Sequence, residues 1–254
     1  MKRAFDIVFA AAVLTVASPV LLTAMGLVWL QDRHSPLYLA RRVGRNGADF
    51  QMVKIRSMVV DADCSGVNST SAGDNRVTPV GRWIRRCKLD EVSQFWNVLV
   101  GEMSVVGPRP NTRAWGVDLY TAEEQRLLSV RPGITDLASI VFADEGDILQ
   151  GAENADLTYN QLIRPWKSRL GLLYVERIGR AGGAAVWLDL RIAWLTALAI
   201  VSRPAALKGV EGILRELGAD EALIAVCRRQ GAKPPAGAPP GADRIFFLEG
   251  AGQA

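Results

Sequence analysis

Residues 7–30 carry no charged side chain, an apolar run of 24 residues in a chain of 254. About 20 suffice to cross a bilayer as a helix, so this run constrains the fold more than any other stretch. It is longer than the apolar region of a cleaved signal peptide, and no small-residue cleavage site follows it. Ser18-Pro19 sits at its middle. There the proline deletes one backbone hydrogen bond and its ring crowds the carbonyl four residues earlier. The serine hydroxyl can satisfy a backbone group freed at such a break. Both flanks are basic, with Lys2 and Arg3 before the run and Arg33, Arg41, Arg42 and Arg45 after it. The positive-inside rule holds both flanks in the cytosol. A helix that enters, breaks at Ser18 and Pro19 and returns satisfies both flanks. A kinked single span and a buried soluble helix are the alternatives.

The whole chain is apolar and basic together, with 49% hydrophobic residues and a net charge of +4. That balance suits a protein on an anionic membrane or one that binds phosphates or nucleic acid. Cys64, Cys87 and Cys227 lack metal-type spacing and read as reduced thiols facing the cytosol. His34 is the only histidine, which argues against a Ser-His-Asp or Cys-His mechanism. Residues 33–88 hold eleven Lys/Arg against Asp49, Asp61, Asp63 and Asp74, a net +7. This segment fits a solvated face beside anionic lipid, and Lys54, Arg56, Arg85 and Arg86 add a phosphate-binding role. A non-enzymatic adaptor for lipid or nucleic acid is the rival reading. It predicts exposed aromatics among the basic residues, whereas here the aromatics fall mostly in apolar patterns, so no nucleic-acid partner is expected.

A short strand is expected over residues 50–55 after the Gly44-Arg45-Asn46-Gly47 turn. Residues 61–75 read as a mobile loop. Thr78 caps a short helix at 79–86 with proline at its first position. A second helix is expected from about Asp90 to Val100, its Val92, Phe95, Trp96 and Leu99 at helical spacing and Gly101 ending it. Residues 185–201, interrupted by Asp189 and Arg191, suit an amphipathic helix on the membrane or core. The Pro/Gly/Ala-rich residues 231–241 read as disordered.

The chemistry centres on Arg85-Arg86-Cys87-Lys88-Leu89-Asp90-Glu91. Asp90 is expected to cap the following helix, where N–H groups favour the carboxylate form. A carboxylate among guanidinium groups can attack phosphorus, as aspartyl-phosphate enzymes do. Glu91 points about 100° away on a helix, which suits it to act as a base or metal ligand. Arg109 is pinned in extended backbone by Pro108 and Pro110, the arrangement bidentate phosphate recognition calls for. Arg131-Pro132-Gly133 repeats the device.

These stretches resemble the bacterial sugar transferases, the monotopic polyprenyl-phosphate phosphoglycosyl transferases, over residues 1–140. The resemblance runs through Lys2-Arg3-Ala4-Phe5-Asp6, Ser18-Pro19, Arg42-Val43-Gly44-Arg45-Asn46-Gly47 and Lys54-Ile55-Arg56-Ser57-Met58. It continues in Leu89-Asp90-Glu91, Asn97-Val98-Leu99-Val100-Gly101-Glu102-Met103-Ser104, Val106-Gly107-Pro108-Arg109-Pro110 and Arg131-Pro132-Gly133-Ile134-Thr135. It implies Asp90 as nucleophile on the β-phosphorus of a UDP-sugar, with UMP expelled. Glu91 would help ionise the polyprenyl phosphate that collects the sugar phosphate. Mg²⁺ near Asp90 and Glu91 would neutralise the diphosphate, while Arg85 and Arg109 would hold phosphate or uridine groups. Two departures stand out: Thr135-Asp136-Leu137-Ala138-Ser139-Ile140 replaces the family's usual Thr-Gly-Trp-Ala-Gln-Val, and nothing beyond about Val210 matches.

The resulting expectation is an α/β, mostly helical chain: a re-entrant membrane helix-break-helix hairpin (1–32), a small cytosol-facing catalytic unit with interfacial amphipathic helices (33–210), and a partly disordered C-terminal extension (211–254). The expected location is the bacterial inner membrane, cytosolic face, in contact with anionic lipids. The reading leaves room for a homodimer.

Overall fold

The apolar run folds as part of one long helix, α1 (Lys2–Asp32), about 46 Å from end to end. The computed structural model describes residues 1–62, 74–114, 116–181, 185–230 and 233–246. Pro19 has no N–H to offer the Thr15 carbonyl, and Ser18 Oγ donates to that oxygen instead at 2.8 Å. The backbone is thereby helical through the proline, so the helix-break-helix expected at Ser18-Pro19 is instead one unbroken helix, and most of its apolar surface is exposed. The helix is long and apolar enough to cross a membrane.

Both ends of α1 are fastened to the rest of the chain. Arg3 donates to the Val98 and Leu99 carbonyls at 2.6 and 2.9 Å, and Asp6, 1% exposed, accepts from Ser104 Oγ and Val105 N–H. Beyond Pro19, Leu21, Ala24 and Val28 pack with Ile55, Ile84 and Leu89. At the far end Arg56 grips Asp32 with both guanidinium nitrogens, at 2.5 and 2.6 Å.

Strands β1 (Leu37–Val43) and β2 (Asp49–Ile55) form an antiparallel hairpin with Leu37 opposite Ile55 and Val43 opposite Asp49. The turn residues Asn46 and Gly47 have φ of 58° and 75°, as the sequence predicts for a tight reversal. Residues 63–73, most of the expected mobile loop, lie outside the described residues. Helix α2 (Pro79–Arg86) starts as expected, Thr78 Oγ1 accepting from Gly81 N–H at 2.9 Å. A Cβ on Gly81 would fall 1.8 Å from the Ser57 carbonyl oxygen, so only glycine lets α2 lie against the end of β2.

The single helix expected from 90 to 100 is instead two, α3 (Leu89–Val92) and α4 (Phe95–Val100). Ser93 lies between them, and its hydroxyl bridges the Asp90 and Val53 carbonyls at 2.9 and 3.1 Å. Strands β3 (Ser104–Val106) and β4 (Gly133–Thr135) pair in parallel at the centre of the main core. At Gly133 a Cβ would meet the Gly107 nitrogen at 2.1 Å, so the two Arg-Pro turns run abreast. Then follow α5 (Leu137–Val141), α6 (Glu145–Leu149), α7 (Ala155–Thr158), a π-turn at Tyr159–Ile163 and α8 (Arg164–Ala181).

Helix α9 (Ala185–Val201) is apolar on its exposed side as well as its buried one, where an amphipathic helix is expected. Leu188, Asp189, Ile192 and Leu195 point inward, while Trp187, Leu190, Trp194 and Val201 line an exposed apolar face. Asp189 accepts from Lys2 Nζ at 2.5 Å and Tyr174 OH at 2.7 Å, tying α9 to the start of α1. Helices α10 (Arg203–Glu216) and α11 (Glu221–Cys227) add Val210, Ile213, Leu214, Leu223 and Ile224 to the main core, so the boundary expected at 210 falls inside a packed helix. Residues 233–246 have no regular secondary structure, yet they are tied down. Trp166 Nε1 donates to the Pro235 carbonyl, Gly237 N–H to Gln161 and Thr121 Oγ1 to Pro240.

Candidate active site

Asp90 and Glu91 face the end of β2 because of the turn before them. Lys88 adopts a left-handed backbone, φ 57°, between α2 and α3. A non-glycine residue there costs on the order of 1 kcal/mol, and strain of this kind gathers where geometry serves function. Lys88, not Asp90, is the N-cap; Asp90 sits one residue inside the helix. The opposite wall is Lys54 of β2, whose position is set by side chains. Asn97 Oδ1 accepts from Val53 N–H at 2.9 Å and its Nδ2 donates to the Gln51 carbonyl at 2.7 Å. Ser93 takes the Val53 carbonyl, so α3 and α4 hold the strand that carries Lys54.

Around Asp90 the charges are close but not locked. Its half-buried carboxylate has no hydrogen-bond or ion-pair partner among the described residues. Burial raises its pKa above the ordinary value and the charge of Glu91 adds to the rise, against the pull of Lys54, Arg85 and Lys88. Glu91 goes the other way. Burial would raise it, but Arg109 at 3.2 Å, Lys88 at 3.8 Å and Lys54 together hold its pKa below the usual value. Burial brings Lys54 down to about 8, with Arg109 and Arg42 assisting and the two carboxylates opposing. Adjacent carboxyl groups driven apart in acidity are suited to different tasks.

Of the phosphate-binding residues expected from the sequence, Lys54, Arg85 and Arg109 gather here. Arg85 is aimed by a bond from its Nε to Ser57 Oγ at 2.9 Å, and its charge is felt at Asp90. Arg56 and Arg131 are engaged elsewhere. Arg56 is spent on Asp32 and on the Ser35 carbonyl, and Arg131 Nε donates to the Gly101 carbonyl at 2.8 Å, in a recess beside Lys2 and Arg3.

Arg109 also opens onto a cleft with about 500 Å³ of empty space, walled by Asp136, Ser139, Tyr159, Lys167 and Arg164. Asp136 caps α5 by accepting from Ser139 N–H at 2.6 Å, which places the unusual 135–140 segment in this wall. Lys167 pairs with Glu145, and burial, outweighed by Tyr159 and Glu145, leaves its pKa raised. The sequence pointed to the 135–140 segment but not to Tyr159, Arg164 or Lys167. Tyr159, Ile163 and Lys167 share helical spacing, but nothing in that pattern tells which distant loops they face.

Asp90 and Glu91 put two carboxylates next to each other in the first turn of α3. Among the described residues no three His, Cys, Asp or Glu side chains gather, and Mg²⁺ is commonly held by one or two carboxylates plus water and substrate phosphates.

Comparison with known proteins bears on the same residues. The sequence pattern of the bacterial sugar transferase family matches residues 1–203. The undecaprenyl-phosphate glucose phosphotransferase of Komagataeibacter xylinus is 37% identical over 201 residues, covering 77% of this chain and 35% of that protein. A UDP-glucose:undecaprenyl-phosphate glucose-1-phosphate transferase of Caulobacter vibrioides is 36% identical over 173 residues, covering 65% of this chain and 64% of its own length. A UDP-N-acetylgalactosamine-undecaprenyl-phosphate N-acetylgalactosaminephosphotransferase of Aeromonas hydrophila is 37% identical over 150 residues, covering 58% and 35%. The chain thus spans between about a third and two thirds of the length of these relatives. With four fifths of its residues inside the family pattern, and with Asp90, Glu91 and Arg109 brought together by the fold, the chain belongs to the bacterial sugar transferase family.

Proposed function

We propose that this chain is a phosphoglycosyl transferase that moves a sugar 1-phosphate from a UDP-sugar to undecaprenyl phosphate. This would be the first membrane step in assembling a glycoconjugate or polysaccharide. The observation that carries the reading is the unpartnered Asp90 carboxylate, set among Lys54, Arg85 and the Glu91–Arg109 pair. An Asp90 oxygen attacks the β-phosphorus of the donor. The bond from that phosphorus to the bridging oxygen breaks, UMP leaves, and the sugar phosphate stays on Asp90 as an acyl phosphate. An oxygen of undecaprenyl phosphate then attacks the same phosphorus, breaks the bond to Asp90 and carries the sugar phosphate away. Lys54, Arg85 and Arg109 counter the phosphate charge. When Arg109 turns to the donor, Glu91 loses the partner that most lowers its pKa and becomes a better base toward the acceptor phosphate. Mg²⁺, held by Asp90 and Glu91, would supply Lewis-acid neutralisation of the diphosphate.

The decisive assay is purified protein with undecaprenyl phosphate and a panel of UDP-sugars, read as UMP release. No release from any donor would sink the proposal. The same assay carries a pH signature. Lys54 is charged below its pKa of about 8 and neutral above it, so kcat/KM for the UDP-sugar should fall as pH rises through 8. On the acid side the fall should come at a higher pH than a solvent-exposed aspartate would give, because Asp90 must be ionised and burial raises its pKa. Lys54→Arg should remove the alkaline limb, since a guanidinium keeps its proton; a limb that persists unchanged belongs to another group.

The path of α1 in the membrane is part of the same proposal. Lys2 and Asp32, at opposite ends of the helix, are held by the same catalytic unit. A re-entrant course then requires α1 to bend at Pro19 without breaking, with both ends on the cytosolic face of the inner membrane and the exposed face of α9 at the lipid surface. A cysteine at position 2 should then react with an impermeant thiol reagent only in permeabilised cells. Labelling from outside intact cells would rule the re-entrant course out.

A further inference from the structure

Helix α10, which begins at the last residue of the family match, and the residues just after α11 build a basic recess. Arg203, Lys208, Arg228 and Arg229 line it, with Glu211 on the same wall, around about 820 Å³ of empty space open to solvent. The charges inside do not cancel. Asp144 alone answers two guanidinium groups, Arg203 at 2.7 Å and Arg229 at 2.8 Å. Glu211 is shared by Arg215 and Arg228, at 2.9 and 2.7 Å, with the exposed Glu221 farther off at 3.6 and 3.5 Å, so three carboxylates face four arginines and Lys208. Lys208 is exposed and has no carboxylate partner among the described residues.

Hydrogen bonding in the recess is also incomplete. The Arg229 side chain is only 5% exposed, yet its Nε has no acceptor, and the buried Nε of Arg203 has none either. Asp144 Oδ1 stands close to Arg203 but is too poorly aligned to accept a hydrogen bond. Buried donors without acceptors are costly and uncommon. Arg229 is moreover held at φ 51°, a left-handed backbone that non-glycine residues rarely adopt. Two unsatisfied guanidinium donors, a free ammonium and surplus positive charge complement a group with several anionic oxygens.

We propose that the α10–α11 recess is a second anion site that binds a phosphate group, separate from the Asp90 centre. Its position bears on the source of that phosphate. The exposed apolar end of α9, Ile200 and Val201, lies two residues before Arg203. A phospholipid whose chains lie along α9 would bring a headgroup phosphate to the rim, and a soluble phosphate ester would offer the same oxygens.

Full-length protein in neutral detergent separates the two. Thermal unfolding is followed against added inorganic phosphate, phosphatidylglycerol and, as control, phosphatidylcholine. Wild-type protein should be stabilised by phosphate or phosphatidylglycerol and not by phosphatidylcholine. Lys208→Glu should weaken that binding about tenfold, the scale of one charge-assisted hydrogen bond, and Lys208→Arg should restore it. Arg33→Glu, a reversal on the basic flank of α1, should leave the response unchanged. A response to inorganic phosphate assigns a soluble phosphate; a response to phosphatidylglycerol alone assigns a headgroup. No response to either, or an equal response in Lys208→Glu and wild type, overturns the site.

Discussion

Asp90→Asn protein incubated with donor alone should show no mass increase, while wild-type protein gains the mass of one sugar phosphate. Turnover should drop on the order of 10⁴-fold or more, because an amide keeps the shape of the side chain but cannot form the bond to phosphorus. The fold should survive. The Asp90 carboxylate makes no hydrogen bond or ion pair to lose, and burial raises its pKa, so ionised Asp90 works against the folded state at neutral pH. The amide removes that penalty, and the variant should unfold no earlier than wild type. An adduct that persists in Asp90→Asn would move the nucleophile elsewhere. Loss of both adduct and stability would mean that the residue acts through structure.

Glu124→Gln should be the most destabilising of the single substitutions considered. The Glu124 and Arg164 side chains are 0% and 5% exposed and meet at 2.5 and 3.1 Å. Glu124 also accepts from Ser168 Oγ at 2.6 Å and Thr121 N–H at 3.0 Å, and Arg164 donates to Asn160 Oδ1 at 3.1 Å. Removing one charge strands the other in a poorly hydrated site, at a cost of about 3 kcal/mol or more. For a chain of this size that lowers Tm by roughly 6–12 °C. Glu124→Gln combined with Arg164→Met should recover most of the loss, because no buried charge is left unpaired. If the double variant is less stable than the single one, the pair contributes more than mutual neutralisation.

The local features of this fold were legible in the sequence, and the distant pairings were not. Thr78-Pro79 announced α2, the Gly44–Gly47 turn announced β2 though not its partner β1, and the apolar spacing of 185–201 gave α9 at its observed limits. Each rests on signals within a few residues. The division of α3 from α4 was hidden because it depends on Ser93 reaching a carbonyl forty residues back. Counting basic residues singled out Arg56 and Arg131 together with Lys54, Arg85 and Arg109. Only the fold reveals that Asp32 and the Gly101 carbonyl already occupy the first two. The cleft beside Arg109 draws on residues near 109, 136, 159 and 167, a set with no spacing that a linear reading could recognise.

The clamp between Arg56 and Asp32 has a consequence for where the chemistry can take place. Lys54 lies two residues before Arg56 on β2, about 7 Å along an extended chain, and Asp32 is the last residue of α1. On the proposed reaction, the altitude of the reacting phosphorus above the lipid is gauged by a short, stiff ruler of strand and ion pair. A bilayer that thickens or thins must tilt or draw the whole enzyme with it, because α1 cannot slide without carrying Lys54 along. The proposed acceptor is itself a lipid whose phosphate floats at a set depth. Alignment of the two reactants is thus a property of protein and membrane jointly, adjusted by lipid composition as much as by any residue in the site.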